Sequence, residues 1–206
     1  QLSGYVGSVD LKKRMIKLVL SQLSNDEARN VPSSFILFGD TSSGKTFLIR
    51  TLIQMLGLKE YNFSNASDNR NAMSFFLSMA RIYDERNGTD KNTNGMMTLD
   101  EAIKHFDTFL ASENGERGFI WLDDMHTAPP RVRTYFLNRI RSLLESSTFT
   151  LTVNGRVQER PTRNLTIGIT LNPIDSSERI KKFQKEQHRE PTDVEVVLAS
   201  LSSADG

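Results

Sequence analysis

The stretch that decides the fold is Gly39-Asp40-Thr41-Ser42-Ser43-Gly44-Lys45-Thr46, followed directly by Phe47. It matches G-x-x-x-x-G-K-[ST], a loop that binds the phosphate groups of nucleotides. The apolar run 35–38 before it predicts a buried strand. The apolar residues at helical spacing in 47–56, closed by Gly57, predict a helix. Strand, glycine-rich loop and helix are the setting that the motif requires, so we expect the nine quoted residues to contact a nucleotide.

Each residue type in this loop has a physical reason. Gly39 and Gly44 allow the backbone to curl, so that successive N–H groups point at phosphate oxygens beside the positive end of the helix. Lys45 can reach the β- and γ-phosphates, and Thr46 can offer its hydroxyl to a magnesium ion. The alternative is a chance match in a Gly/Ser loop, which the flanking strand and helix disfavour.

Composition indicates an ordinary globular domain. The chain has 206 residues, 37% of them hydrophobic and 25% charged, and a net charge of +1. Because cysteine is absent, disulfides and thiol nucleophiles are excluded. No apolar run approaches the roughly 18 residues of a membrane span, and no signal peptide is visible. The chain begins at Gln1 and ends in a polar tail, so we expect a fragment of a longer protein located in the cytoplasm or nucleus.

The remaining apolar patterns predict alternating helices and strands within one domain, 1–206. Helices are expected at 9–23, 72–84, 99–110, 132–144 and 176–187, and strands at 61–64, 118–124, 165–171 and 194–198. Residues 1–30 form an N-terminal helix and linker, and 86–97 a surface loop. Alternating runs around Asn154-Gly155 predict an inserted β-hairpin within 146–163. The fold class is α/β: a three-layer sandwich with a five-stranded, mainly parallel sheet.

Two further strand ends carry polar side chains. The apolar strand 119–124 ends in Asp123 and Asp124. Because parallel strands end at one edge of a sheet, we expect both carboxylates beside the phosphate loop. Asp123 would hold magnesium through its water shell, and Asp124 would orient or deprotonate the attacking water. Asn172, at the end of another apolar strand, would bond the γ-phosphate or that water. The alternatives are a solvated strand end and a simple turn before Pro173.

The order of these motifs resembles that of AAA+ ATPases over roughly residues 4–200. Val6-Gly7 corresponds to the N-terminal turn, 39–46 to Walker A, 119–124 to Walker B and Asn172 to sensor 1. The resemblance implies binding of ATP or ADP with Mg²⁺, with Tyr5, Val6 and Gly7 near the adenine. It also implies an arginine finger that completes a neighbouring subunit's site. Arg189 fits its usual place best and Arg179 second, with solvated charges as the alternative.

The resemblance further implies a ring or partial ring of AAA+ subunits, copies of this chain or different ones, that remodels or translocates a macromolecule. Two departures matter. Asp124 stands where the family usually carries Glu, one methylene longer, and the helical lid with sensor 2 has no counterpart. A nucleotide-binding structural module with weak or no hydrolysis is therefore the alternative. A GTPase is disfavoured because no Asn-Lys-x-Asp box occurs, and a small-molecule kinase because it has no use for the Asn172 strand and the hairpin.

No single subfamily covers the whole pattern. Asn65-Ala66-Ser67-Asp68-x-Arg70 is similar to a box of clamp-loader subunits. The hairpin before sensor 1 is similar to that of dynein-like, chelatase-like and replicative-helicase-like proteins. The acid pair followed by a hairpin also resembles superfamily-three viral helicases. The subfamily stays open.

The segment 131–163 is rich in arginine. Arg156, Arg160 and Arg163, on or beside the hairpin, are candidates for tracking a nucleic-acid backbone. The alternative is a solvated face with inter-subunit salt bridges, and the near-neutral net charge does not favour nucleic acid. The three histidines, His105, His126 and His188, lack metal-ligand spacing and are expected on the surface or in loops.

Overall fold

The computed structural model describes residues 33–39, 43–84, 96–112, 114–153 and 156–172, together with Lys13 and Lys17. The strands are β1 Ser33–Phe38, β2 Ser74–Ser78, β3 Ile82–Tyr83, β4 Met97–Thr98, β5 Phe119–Asp123, β6 Thr148–Val153, β7 Arg156–Pro161 and β8 Thr166–Leu171. The helices within these residues are α1 Lys45–Met55, α2 Leu99–Ala111 and α3 Pro130–Glu145. Lys13 and Lys17 are helical. The other predictions for 1–30, and those for 176–187 and 194–198, lie outside the described residues.

The central sheet has four strands in the order β1-β8-β5-β2, all parallel. Its inner strands are continuous apolar runs, as expected where a parallel sheet is covered on both faces. The α/β class with a parallel sheet is confirmed. Of the five predicted strands, 194–198 is outside the described residues, and the predicted second strand is replaced by a different segment.

The sheet separates two layers of helix. On one face, α1 packs Leu48 and Leu52 against Phe76 and Trp121. On the other face, residues of α2, α3 and β6 form a core that includes Phe75, the neighbour of Phe76 in β2. Adjacent strand residues point to opposite faces, so the pair 75–76 joins both cores. The three-layer arrangement is therefore present in the described residues.

Gly168 of β8 lets the largest side chain of the core lie flat on the sheet. A Cβ at this position would lie 1.8 Å from Cζ3 of Trp121, which is fully buried. Phe35 covers the same ring, with centroids 5.2 Å apart. Glycine in the middle of this strand thus makes room for Trp121 under α1.

The prediction of a helix over 72–84 is wrong. The segment forms β2, a 3₁₀ turn at Met79–Arg81 and the short β3. Its apolar run is buried on both faces as a strand, and periodicity alone does not separate such a run from a buried helix. The predicted strand 61–64 is also wrong. Only Glu60 forms a bridge, to Ser74, and Tyr61 turns its ring against Phe75 at 5.4 Å.

The other helices and strands predicted within the described residues are confirmed in kind, whereas most of the loop predicted at 86–97 lies outside those residues. Helix α2 begins with a capping box between Thr98 and Glu101. The hairpin pairs antiparallel from Thr148↔Pro161 to Val153↔Arg156, and the Asn154-Gly155 turn between them lies outside the described residues. Phe149 and Leu151 anchor β6 in the core. Among the described residues, no helix has the length and apolar character needed to cross a bilayer.

Candidate nucleotide-binding site

The phosphate loop lies between β1 and α1, at the carboxyl edge of the sheet. Gly44 is the N-cap of α1, with φ 80° in the left-handed region that side chains disfavour. The N–H of Gly39 donates to the carbonyl of Leu171 at 3.2 Å, which ties the start of the loop to the end of β8. Asp40, Thr41 and Ser42 lie outside the described residues.

The side chain of Lys45 bonds two residues that precede it in the phosphate loop. Its Nζ donates to the carbonyl of Gly39 at 2.7 Å and to Oγ of Ser43 at 3.2 Å. The ammonium group therefore lies between the carbonyl of Gly39 and the hydroxyl of Ser43. A cation held there can contact the oxygens of a phosphate group that the loop encloses.

Thr46 and Asp123 meet although 77 positions separate them in the sequence. The Thr46 hydroxyl donates to both carboxylate oxygens of Asp123, at 3.1 Å and 3.0 Å. Asp123 is the last residue of β5 and only 5% exposed. A hydroxyl and a carboxylate are hard oxygen donors of the kind that magnesium prefers, so the two residues fit the expected ion.

Thr170 of β8 is a member of the site that the sequence reasoning missed. It is fully buried, and its hydroxyl donates to Oδ1 of Asp123 at 2.7 Å. The Thr170 hydroxyl oxygen in turn accepts the backbone N–H of Asp124 at 2.6 Å. One threonine therefore fixes both acidic residues. The sequence did contain a sign of this role: Thr170 is a polar residue in an apolar strand, two positions before Asn172 and therefore on the same side of the strand.

Asp124 has an unusual backbone. Its φ of 54° is the only positive value among the described residues other than glycine. Burial raises the pKa of its carboxyl group, the charge of Asp123 raises it further, and His126 and Lys45 act in the opposite direction. Left-handed backbone and a perturbed acid together are features that cluster at functional sites.

Asn172 directly follows β8, and its backbone contacts His126. Its N–H donates to Nδ1 of His126 at 3.2 Å. His126, for which a surface or loop role was expected, lies half-buried in the short 3₁₀ turn directly after Asp124. Burial is the main cause that lowers its pKa. The missed signal was its position two residues after the acid pair.

A cavity of about 430 Å³ opens beside Thr46 and Asp123. Arg50 lies in its wall, paired with Glu60 at 3.3 Å and stacked over the ring of Phe76 at 4.2 Å. Ser64, Ser78, Arg81 and Met97 contribute further to the lining. The cavity leaves room for a ligand group next to the hydroxyl–carboxylate pair.

The other predicted site residues are dispersed or lie outside the described residues. Phe47 is 57% exposed at the first turn of α1. Tyr5, Val6, Gly7, Arg179 and Arg189 lie outside the described residues, so their roles stay predictions. The part of the chain that is described contains no cluster of three or more His, Cys, Asp or Glu residues able to hold a metal.

Several arginines of the segment 131–163 bond within the protein. Arg131 pairs with the buried Asp84 at 3.1 Å, Arg139 with Asp107 at 3.1 Å and Arg141 with Glu145 at 2.7 Å. In the hairpin, Arg160 donates to the carbonyl of Ala111 at 3.4 Å and to Gln158 at 3.3 Å. Arg163 is exposed, and Arg156 lies in β7. The intramolecular pairs reduce the charge available to a nucleic acid.

Comparison with known proteins bears on the fold. No family model matches the chain, and no curated protein matches it. Among solved structures, a closed-state cryo-EM reconstruction of Hsp104 with ATPγS and FITC-casein matches with TM-score 0.52 and 18% identity. The match covers 98% of this chain and 31% of the Hsp104 chain, so this chain is far shorter. At that identity the likeness concerns the fold alone.

Proposed function

We propose that the protein is an AAA+ module that binds Mg-ATP at the interfaces of a ring or partial ring and couples hydrolysis to remodelling of a macromolecule. The observation that carries the proposal is the contact of Thr46 with Asp123, beside Lys45 lying across the phosphate loop. Two elements far apart in sequence bring a hydroxyl, a carboxylate and an ammonium group together, which is what a nucleotide with its metal requires. Neighbouring AAA+ subunits, identical or different, are the expected partners.

Each residue has a defined task in this proposal. Lys45 and the loop amides neutralise and orient the phosphates, and Thr46 and Asp123 hold the metal. Bound Mg²⁺ supplies positive charge that stabilises the phosphate oxygens during transfer. Asp124 accepts a proton from the attacking water, for which its raised pKa suits it. Asn172 donates from its side-chain amide to the γ-phosphate or the water.

The substrate is a macromolecule whose class the site does not select. The Hsp104 structure contains casein, which favours a polypeptide by analogy of fold. The hairpin arginines Arg156 and Arg160, with Arg163, make nucleic acid the competing class. Either substrate would be moved by a change in the position of one subunit relative to the next.

The test of turnover is a comparison of Lys45→Ala with Lys104→Ala, which removes an exposed lysine of α2 outside the site. We expect the first change to lower ATP hydrolysis by about 10²-fold or more, because the cation beside the transferred phosphate is lost. The second should leave the rate unchanged. Turnover that survives Lys45→Ala would contradict the assignment of the site.

A nucleotide-binding structural module is the second candidate, and Asp124 favours it. The Asp124 side chain is one methylene shorter than that of the usual Glu. The backbone N–H of Asp124 donates to the Thr170 hydroxyl at 2.6 Å, which limits how far the carboxylate can reach. Binding of ATP without turnover in the wild-type protein, with turnover gained by Asp124→Glu, would favour this candidate. Turnover in the wild-type protein that falls in Asp124→Glu would favour the ATPase.

A further inference from the structure

The strand β8 and the turn after β5 stay connected beyond the end of their regular pairing. The last paired residues of the two strands are Leu122 and Ile169. Past that point, Thr170 accepts the N–H of Asp124, and His126 accepts the N–H of Asn172. Side chains thus replace backbone carbonyls as the acceptors that join the two segments.

The Asn172 N–H is the final donor on this stretch of β8, since Pro173 has no N–H. The pairing of β5 with β8 ends at Ile169, three residues before Asn172, so it does not include the Asn172 N–H. Together with the bond between Thr170 and Asp124, its bond to Nδ1 of His126 holds the strand end against the turn that carries Asp124.

We propose that His126 is a positioning residue for hydrolysis, whose Nδ1 holds the backbone of Asn172 and thereby fixes the Asn172 side chain relative to Asp124. The inference rests on the proposed function, in which Asn172 contacts the γ-phosphate or the water and Asp124 accepts the proton. His126 acts through Asn172 and touches neither substrate nor metal.

The charges around the ring are compatible with this role. Asp124 and Asp123 at the end of β5 favour the imidazolium, while Lys45 of α1 and Arg133 of α3 disfavour it. Burial outweighs these charges and lowers the pKa of His126. A neutral ring with its proton on Nε2 leaves Nδ1 as the acceptor that the geometry requires.

The test compares His126→Ala with His126→Asn. The Asn side-chain oxygen can take the place of Nδ1 as an acceptor, whereas Ala removes it. Loss of an outer residue that orients a functional group costs about tenfold or more, so we expect kcat for ATP to fall about tenfold in His126→Ala with KM changed less than about twofold. His126→Asn should recover most of kcat. His105→Asn, at a histidine bonded to Tyr61 away from the site, is the matched control and should match the wild type.

A second readout does not depend on turnover. The backbone amide resonance of Asn172, measured by ¹H–¹⁵N NMR without nucleotide, should move upfield in His126→Ala because its hydrogen bond is lost, and stay close to the wild-type position in His126→Asn. An unmoved resonance in His126→Ala overturns the inference even if hydrolysis is demonstrated. A wild-type kcat in His126→Ala, or an equally low one in His126→Asn, also overturns it. If the wild-type protein does not hydrolyse ATP, the proposed ATPase fails, and the amide resonance alone decides whether His126 holds Asn172.

Discussion

At the scale of single residues, the site depends on how β8 holds the acids of β5. Thr170 bonds the Asp123 carboxylate and the Asp124 N–H with one hydroxyl, and Thr46 approaches the same carboxylate from α1. Buried carboxylates need such partners because their desolvation is costly. The bonds fix the Asp123 carboxylate beside the cavity, and they hold the backbone of Asp124 next to it.

Thr170→Val is the most direct change at this scale. Valine keeps the shape but removes the hydroxyl, which leaves the Asp124 N–H and one Asp123 oxygen without this buried partner. We expect a loss of about 1–3 kcal/mol in the free energy of unfolding, measured with urea. The same change at the exposed Thr108, whose hydroxyl bonds a helix carbonyl, should cost less than about 0.5 kcal/mol. Equal stabilities of the two variants would show that Thr170 does not hold the acids.

Asp124→Asn separates function from stability. Because the folded-state pKa of Asp124 is raised, ionising this group costs the folded protein free energy, and the cost develops as pH rises from the ordinary pKa to the raised one and is constant above it. Asparagine tolerates the left-handed backbone and carries no charge. We therefore expect Asp124→Asn to be more stable than the wild type at neutral pH. The difference in stability should vanish in acid, below the ordinary carboxyl pKa of 3.8. Turnover of ATP should fall by about 10²-fold or more, because the group that accepts the proton is lost. Urea unfolding across pH, with turnover alongside, checks both; an Asn variant that is less stable at pH 7 would contradict the account.

At the scale of elements, the β6–β7 hairpin is the feature that the nucleotide site does not explain. Phe149 and Leu151 fix its base in the core, while Val157 is 72% exposed. An anchored hairpin with an exposed outer surface can contact another molecule without disturbing the sheet. If the arginines of β7 contact phosphate groups, that molecule is a nucleic acid.

The double change Arg156→Ala with Arg160→Ala tests this element. If the hairpin follows a phosphate backbone, single-stranded DNA or RNA should bind more weakly, and the dependence of log Kd on log salt should become shallower by about 2 because two phosphate contacts are lost. Arg117→Ala with Arg141→Ala removes the same charge from outside the hairpin and should change the slope less. Unchanged binding in the hairpin variant, or none in the wild type, would assign these arginines to a solvated face.

At the scale of the whole molecule, a parallel sheet delivers the ends of β1, β5 and β8 to one edge. The sequence predicted this because each strand ends in or is followed by a polar signal: the phosphate loop with Lys45 after β1, Asp123 in β5 and Asn172 after β8. Thr170 and His126 were missed since their importance depends on register and on a turn, which single-strand patterns do not contain. The strand β2 was missed because Phe75 and Phe76 are buried on opposite faces, and such a run has no alternation of apolar and polar residues to reveal it.

We propose that Thr46 and Asp123 form a metal site beside a bound nucleotide. The most direct test is calorimetric titration of ATP into the wild-type protein and into Asp123→Asn, each with Mg²⁺ and with EDTA. We predict that Mg²⁺ tightens ATP binding by about tenfold or more in the wild type and by less than about twofold in Asp123→Asn, because the carboxylate that holds the ion is gone. Equal Mg²⁺ dependence in the two proteins, or no ATP binding to the wild type, would contradict the account.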